Sequence, residues 1–263
     1  MQKLSGSKYL QSDLKNVLNE IKVLLDNGKY VLFSGTPCQV AGLYACLDKN
    51  YENLTTIDLL CYGTPSPLAF KKYLNEFISA DEKIEEINFR DKTVLLRDEI
   101  NFKIKTNQNE YWLNSNNDLY YKAFINNLMN RESCGDCKYS GLSGVADITL
   151  GDFEGIEKFD ENLNDFKGIS FGLTNNEKGQ ALLNAVKNEF KIFQKVPIGY
   201  VKTGNSIFTS SFKAHSKRQK FFDNLNKFPF SKNVENCLFE KYDVGIIGMW
   251  FIVTGKQIGR AHV

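Results

Sequence analysis

The sequence predicts an α/β fold, with a mixed sheet, helical crossovers and an antiparallel strand insertion. Three observations predict it. Helical spacing and short apolar runs alternate through the first third of the chain, period-two alternation replaces them from Ile84 to Leu113, and helix–strand alternation resumes after Asp118. The chain has 263 residues, 42% of them hydrophobic and 24% charged, which is enough to bury a core without staples and shows no bias toward disorder or coiled coil.

Ser12 precedes Leu14, Val17, Leu18, Ile21, Leu24 and Leu25 at helical spacing, and Gly28 closes the run. Tyr30 to Ser34 is a short β-compatible stretch, GTPC turns, and a second helical pattern runs from about Gln39 to Leu47. Leu54 to Leu60 predicts another buried strand, ending in Cys61 and the turn YGTPSP, before helical spacing from Pro67 to Ile78. Two strands therefore each end in a cysteine-bearing loop. Helical crossovers between apolar strands favour a parallel sheet, whose ligands collect beyond the strand C-terminal ends. The runs INFRD, INFKIKT and EYWL predict an antiparallel meander. Asp118 to Met129 reads as helix, SCGDCKYSGLSG as a glycine-rich loop, and Ala146 to Leu150 as a strand before GDFEGI. Gly168 to Thr174 reads as a strand, Asn176 to Phe190 as a helix, and Ser216 to Leu225 as a basic amphipathic helix.

Lysine and arginine number 33 against 31 acids, a net charge of +2, so no global basic field argues for nucleic acid. The longest apolar run, Val244 to Val253, falls far short of the ~20 residues that span a bilayer. MQKLSGSKYLQ has no apolar signal region, and the expectation is a cytoplasmic protein with reduced thiols.

Six cysteines then carry the chemistry. Cys134 and Cys137 form C-x-x-C in a loop with Gly135 and Gly141, where small residues let backbone fold round an ion or cluster. Two thiolates saturate no metal; Cys38 in TPC and Cys61 in CYGTP are the natural completion of a four-thiolate site for zinc or an iron–sulfur cluster. Buried small-hydrophobe roles for Cys38 and Cys61, with C-x-x-C as a redox pair or half a zinc site, stay open at this stage. Cys46 and Cys237 sit in helical segments and read as core or surface thiols. His215 and His262 give little basis for acid–base or His-rich metal chemistry.

GSKYLQS, Gly6 to Ser12, groups a glycine, hydroxyls, a lysine and an aromatic ahead of a helix N-terminus, where an anion can be held; the signal is weak, and an ordinary capped helix start is the default reading. GDFEGI, Gly151 to Ile156, permits close backbone approach after a strand, as a plain turn does. Arg90 and Asp91 in NFRDK could pair with each other's neighbours, a solvated turn being the default reading.

In order, SGSKYLQSDL, VLFSGTPCQVAGL, IDLLCYGTPSP, INFRDK, SCGDCKYSG, ADITLGDFEGIEK and KRQKFFDNLN closely resemble the coenzyme F-420 hydrogenase/dehydrogenase beta subunit family over about Leu4 to Phe230. The resemblance implies an iron–sulfur flavoprotein with FAD and a 4Fe-4S cluster, exchanging electrons with ferredoxin or a similar donor and passing hydride to an acceptor. It implies Cys38, Cys61, Cys134 and Cys137 as cluster ligands. On the flavin side it implies Gly6, Ser7, Lys8, Tyr9, Gln11, Thr36, Gly151 and Asp152, with Lys138 offsetting cluster charge. No general acid or base is implied. The alternative is a non-catalytic module whose cysteines hold structural zinc and whose sheet docks a polysaccharide-modifying transferase. Glu154 stands where relatives usually have Trp, and the ferredoxin-like segment common upstream in bacterial relatives has no counterpart here.

The expected plan is a domain like those beta subunits over 1–230, lacking its N-terminal part. A linker over 231–251 follows, ending in YDVGIIGMWF, which resembles the first strand of a polysaccharide pyruvyl transferase domain. Residues 252–263 fit no continuation and resemble translated sequencing adapter.

Overall fold

The computed structural model describes residues 9–91, 101–163, 168–204, 206–208 and 211–239. In chain order these form α1 (Val17–Asp26), β1 (Val31–Gly35), α2 (Pro37–Cys46), β2 (Leu54–Leu59), α3 (Pro67–Leu74), β3 (Ile84–Asp91), β4 (Asn101–Thr106), β5 (Glu110–Asn114), α4 (Leu119–Ile125) and α5 (Glu132–Gly135). They continue as β6 (Ile148–Asp152), β7 (Ser170–Thr174), α6 (Glu177–Val186), α7 (Ile198–Gly204), α8 (Arg218–Asn224) and α9 (Phe230–Leu238). The strand expected over Tyr242 to Phe251, and the tail over 252–263, lie outside the described residues.

One sheet has strand order β1-β2-β6-β7. The first three strands are parallel and β7 is antiparallel to β6. Ser34 pairs with Ile57 and Leu59 with Leu150, so the strands leave the sheet at a common C-terminal edge. The second sheet is the expected meander, β3-β4-β5, antiparallel throughout. The predicted mixed sheet with crossovers and an antiparallel insertion is therefore observed.

Local chemistry sets the helix starts. Ser66 Oγ accepts from the Ala69 amide at 3.4 Å, with Pro67 in the first helical position of α3. Asp118 accepts from the Tyr121 amide at 2.8 Å to begin α4, and Asn176 from the Gly179 amide at 2.9 Å to begin α6. Gly179 is needed for a second reason: a Cβ there would collide with the Asp147 carbonyl oxygen beneath α6.

Several boundaries differ from the sequence expectation, α3 ending at Leu74 rather than Ile78 and α4 at Ile125 rather than Met129 among them. Ser12 does not open α1; its hydroxyl accepts from Gln39 Nε2 at 3.1 Å, and Asp13 caps the Lys15 amide at 3.0 Å, so regular helix begins only at Val17. The helix after Asn176 ends at Val186 and gives way to a 3₁₀ turn. Within the glycine-rich cysteine loop the backbone makes one helical turn, α5.

The largest core is aromatic. Phe70, Tyr73, Phe89, Phe102, Tyr120, Phe221 and Phe230 gather α3, the meander, α4, α8 and α9 into one cluster. Phe89 and Phe102 stack across β3 and β4 at 4.9 Å. A second core joins α1 and α2 to β1 and β2 through Ile21, Leu25, Phe33, Val40, Leu43 and Leu54. A third, around Phe153, Ile156, Val201 and Phe208, supports the segment after β6.

Candidate metal centre

Each of the four predicted ligand cysteines arrives on a differently built segment. Cys38 follows β1 at the second position of α2, where Pro37 pre-sets the helical φ and the helix start favours negative charge. Gln39 accepts from the Thr36 amide at 2.9 Å and holds that turn, while Thr36 Oγ1 lies 3.2 Å from Cys38 Sγ. Cys61 follows β2 through Leu60, whose amide donates to the Leu150 carbonyl at 2.8 Å and keeps the loop on the sheet edge. Cys134 and Cys137 lie in and just after α5.

The last pair reaches the first pair because the two loops are stitched together. Pro65 and Asn130 form an antiparallel bridge. The Arg131 amide donates to Thr64 O and the Ser66 amide to Met129 O, each at 2.9 Å. Ser211 Oγ donates to Gly135 O at 2.9 Å and brings the segment before α8 over the same place.

Cys38, Cys61, Cys134 and Cys137 all line one cavity of about 360 Å³. Tyr62, Phe212 and Ile207 give it apolar walls, and Thr64, Ser140 and Lys213 its polar ones. Tyr62 and Phe212 stack at 6.0 Å. Gly63 has φ +125°, and a Cβ there would lie 2.6 Å from the Phe212 ring, so the loop needs glycine both for its backbone and for the ring's approach.

Burial pushes the Cys61 thiol up to about 11, against the Gly63 amide that favours the thiolate. Burial raises Cys134 as well, opposed by the Thr64 amide and then by Arg131. The other three thiols of the cavity push Cys61 further up, an electrostatic coupling between all four sulfurs. Among the described residues no group of three or more His, Cys, Asp and Glu side chains is arranged to hold a single metal ion. Thiolates round one tetrahedral zinc sit about 3.8 Å apart, given Zn–S near 2.3 Å. The four thiols are convergent but not gathered on one point.

The flavin-side candidates divide. Gly6, Ser7 and Lys8 lie outside the described residues. Tyr9 packs its ring between Phe89 at 5.8 Å and Phe124 at 5.3 Å. The Gln11 side-chain carbonyl accepts from Arg131 Nη1. Thr36 stands beside Cys38, at the cavity's edge. At Gly151, on β6, the space of a Cβ is filled by the Phe171 ring, so packing explains this glycine. Asp152 pairs with Arg90, Nη1 to Oδ2 at 2.7 Å.

That pair corrects the reading of NFRDK as a solvated turn. Arg90 and Asp91 end strand β3, Asp91 is buried and accepts from Asn88 Nδ2 at 3.0 Å, and Arg90 reaches across to β6. Around Arg90 stand Tyr9, Tyr121, Asp152 and Glu154. Burial, then Tyr9, pushes Tyr121 up to about 12, and burial, then Asp152, raises Glu154 while Arg90 opposes the rise. Sequence spacing gave no hint of Tyr121, Phe212 or Lys213, since none shares a motif with a cysteine. Lys138 is exposed, and the lysine lining the cavity is Lys213.

Cys46 ends α2 exposed, whereas Cys237 is buried in α9. The Nδ1 of His215 accepts from the Lys217 amide at 3.1 Å, a turn-forming role.

Residues 28–196 match the family model that describes the C terminus of the coenzyme F420 hydrogenase/dehydrogenase beta subunit. A chain in a solved structure of the F420-reducing NiFe hydrogenase complex from Methanosarcina barkeri is similar at 19% identity and a TM-score of 0.46, over 93% of this chain and 72% of that one. No curated protein matches the chain.

Proposed function

This chain belongs to the family defined by the C terminus of the coenzyme F420 hydrogenase/dehydrogenase beta subunit, and from that premise we propose that it is the electron-transfer part of an iron–sulfur flavoprotein oxidoreductase. A role as part of an oxidoreductase follows from the family. Its cofactors, ligands and partners are the content of the proposal. One observation carries it: Cys38, Cys61, Cys134 and Cys137, from segments up to about a hundred residues apart, line a single cavity.

The donor set fits a 4Fe-4S cluster. Four thiols answer the four irons, the cavity has room for inorganic sulfide, and the Gly63 and Thr64 amides face the Cys61 and Cys134 sulfurs as donors to thiolate. When bound, such a cluster supplies single-electron transfer, and FAD beside it would supply two-electron chemistry. The residues' own work is to hold and shield. Tyr62 and Phe212 form an apolar wall, and Lys213 lines the same cavity as a cation. Tyr9, Gln11, Thr36 and Asp152 remain the described candidates for contact with flavin, with Gly6, Ser7 and Lys8 preceding them in sequence and Gly151 as a close-packing position. Ferredoxin or a similar carrier is the proposed donor. No described helix is long and apolar enough to cross a membrane.

A single structural zinc held by the same cysteines is the competing reading. Anaerobic purification decides. The expected protein is brown, with about four iron and four sulfide per chain. Cys38→Ala and Cys134→Ala lose iron while Cys46→Ala keeps it. Colourless protein with one zinc, or equal iron in all three variants, overturns the proposal.

A further inference from the structure

Beside the stitched loops, a second cavity of about 410 Å³ is lined by Gln11, Ser66, Arg131, Glu132, Arg218 and Phe222, together with Pro67. Two guanidinium groups share it. Arg218 is held in place: its Nε donates to Asn130 O at 2.8 Å, and its guanidinium lies over the Phe222 ring at 4.6 Å. Arg131 donates through Nη1 to the neutral Gln11 side chain. Neither arginine forms an ion pair among the described residues, so both charges are positioned by neutral partners and face a common space.

We infer that this cavity binds a phosphoryl group, clamped between Arg131 and Arg218. Planar guanidinium forks make paired, charge-assisted bonds to phosphate oxygens, and a pre-positioned fork loses little freedom in making them. The start of α3, at Ser66 and Pro67, adds the favourable end of a helix dipole to the same space. Glu132 on the lining subtracts one charge and opposes any anion, so a ligand has to engage both arginines to hold, which a group with several oxygens such as a pyrophosphoryl unit does. The inference uses no thiol and does not depend on the cluster assignment; it shares Gln11 with the flavin candidates, and its flavin dinucleotide arm rests on that reading. The phosphoryl group belongs either to free phosphate or pyrophosphate, or to a nucleotide, a flavin dinucleotide included.

Calorimetric titration of the full chain with pyrophosphate, ADP and FAD at low salt tests it. Pyrophosphate is expected to bind, Arg131→Met and Arg218→Met each to weaken it by about tenfold or more, and Arg218→Lys to recover part of the loss. Glu132→Gln is expected to tighten binding, which a merely structural role for this corner would not produce. Thermal melts identify a variant that fails to fold; Arg131 and Glu132 are exposed, so their variants keep the test alive if Arg218→Met does not. ADP or FAD binding about tenfold tighter than pyrophosphate assigns the site to a nucleotide, and comparable affinities assign it to the phosphoryl unit alone. Wild-type chain that ignores all three probes, or affinities unchanged by Arg131→Met and Glu132→Gln, overturns the inference. Iron content in Arg218→Met is expected to match wild type, separating this result from any failure of the cluster assignment.

Discussion

Arg90 Nη1 lies 2.7 Å from Asp152 Oδ2, joining the end of meander strand β3 to the end of β6, beside the carboxyl of Glu154. Both partners are partly exposed, so solvent screens the pair and its loss is expected to cost under ~1 kcal/mol. Its electrostatic effect is more diagnostic. Burial and Asp152 raise Glu154, and Arg90 restrains that rise. Arg90→Gln is therefore expected to move the Glu154 titration upward in carboxyl-labelled NMR spectra while urea unfolding changes little. An unmoved Glu154 would mean that the Arg90 charge does not act on Glu154.

Gly63→Ala should disturb the cysteine loop more than its size suggests. The backbone there has φ +125°, a region nearly exclusive to glycine, and the new Cβ would meet Phe212 at 2.6 Å. The expected cost is about 1–3 kcal/mol in chemical denaturation, with reduced iron uptake because the Gly63 amide no longer faces Cys61. Adding Phe212→Ala should return only the steric share, leaving the backbone strain. Full recovery in the double variant would show that φ is not the limiting factor.

The sequence made the fold legible wherever periodicity and punctuation agreed. Pro37, Pro67, Asp118 and Asn176 mark helix starts by local chemistry, and local chemistry is what a sequence displays. It also put Cys38 and Cys61 each in a loop after a strand; the sheet order adds that those strands are parallel neighbours sharing a C-terminal edge. Ser12 misled because its hydroxyl bonds Gln39, 27 residues away, and no local pattern records that. Arg90 misled for the same reason: its partner Asp152 is 62 residues distant. Tyr121, Phe212 and Lys213 joined the sites only through packing of α4 and the segment before α8, so nothing in their sequence surroundings announced them.

Cys46 and Cys237 look alike in sequence and should behave differently in a thiol assay. Cys46 ends α2 on the surface, while Cys237 is 1% exposed among the aromatic side chains between α8 and α9. In native protein Cys46 is expected to react rapidly with an aromatic disulfide reagent and Cys237 only on unfolding. Cys38 is exposed too, and metal-free protein should label there as fast as at Cys46. Loading with iron and sulfide should protect Cys38 and leave Cys46 reactive. Equal labelling of Cys38 before and after loading would remove it from the ligand set.

Glu82 sets an acid limit on the meander. Its carboxylate accepts from Thr106 Oγ1 at 2.6 Å, Tyr111 Oη at 2.7 Å, Asn109 Nδ2 at 3.2 Å and the Ser79 amide at 3.2 Å, tying the approach to β3 onto the β4–β5 hairpin. These donors, Thr106 first and then Tyr111, hold its pKa down at about 2 against an ordinary 4.5. A carboxyl depressed on folding stabilises the folded state fully above its unfolded value and loses that contribution as pH falls toward the folded one. The wild-type advantage over Glu82→Gln in urea midpoint should therefore be complete near pH 6, start to shrink below about 4.5, and be nearly gone by about 2. Tyr111, raised first by its bond to Glu82, should titrate at lower pH in the variant. An advantage independent of pH would mean that ionisation of Glu82 is not what holds these donors, because protonation would then cost nothing.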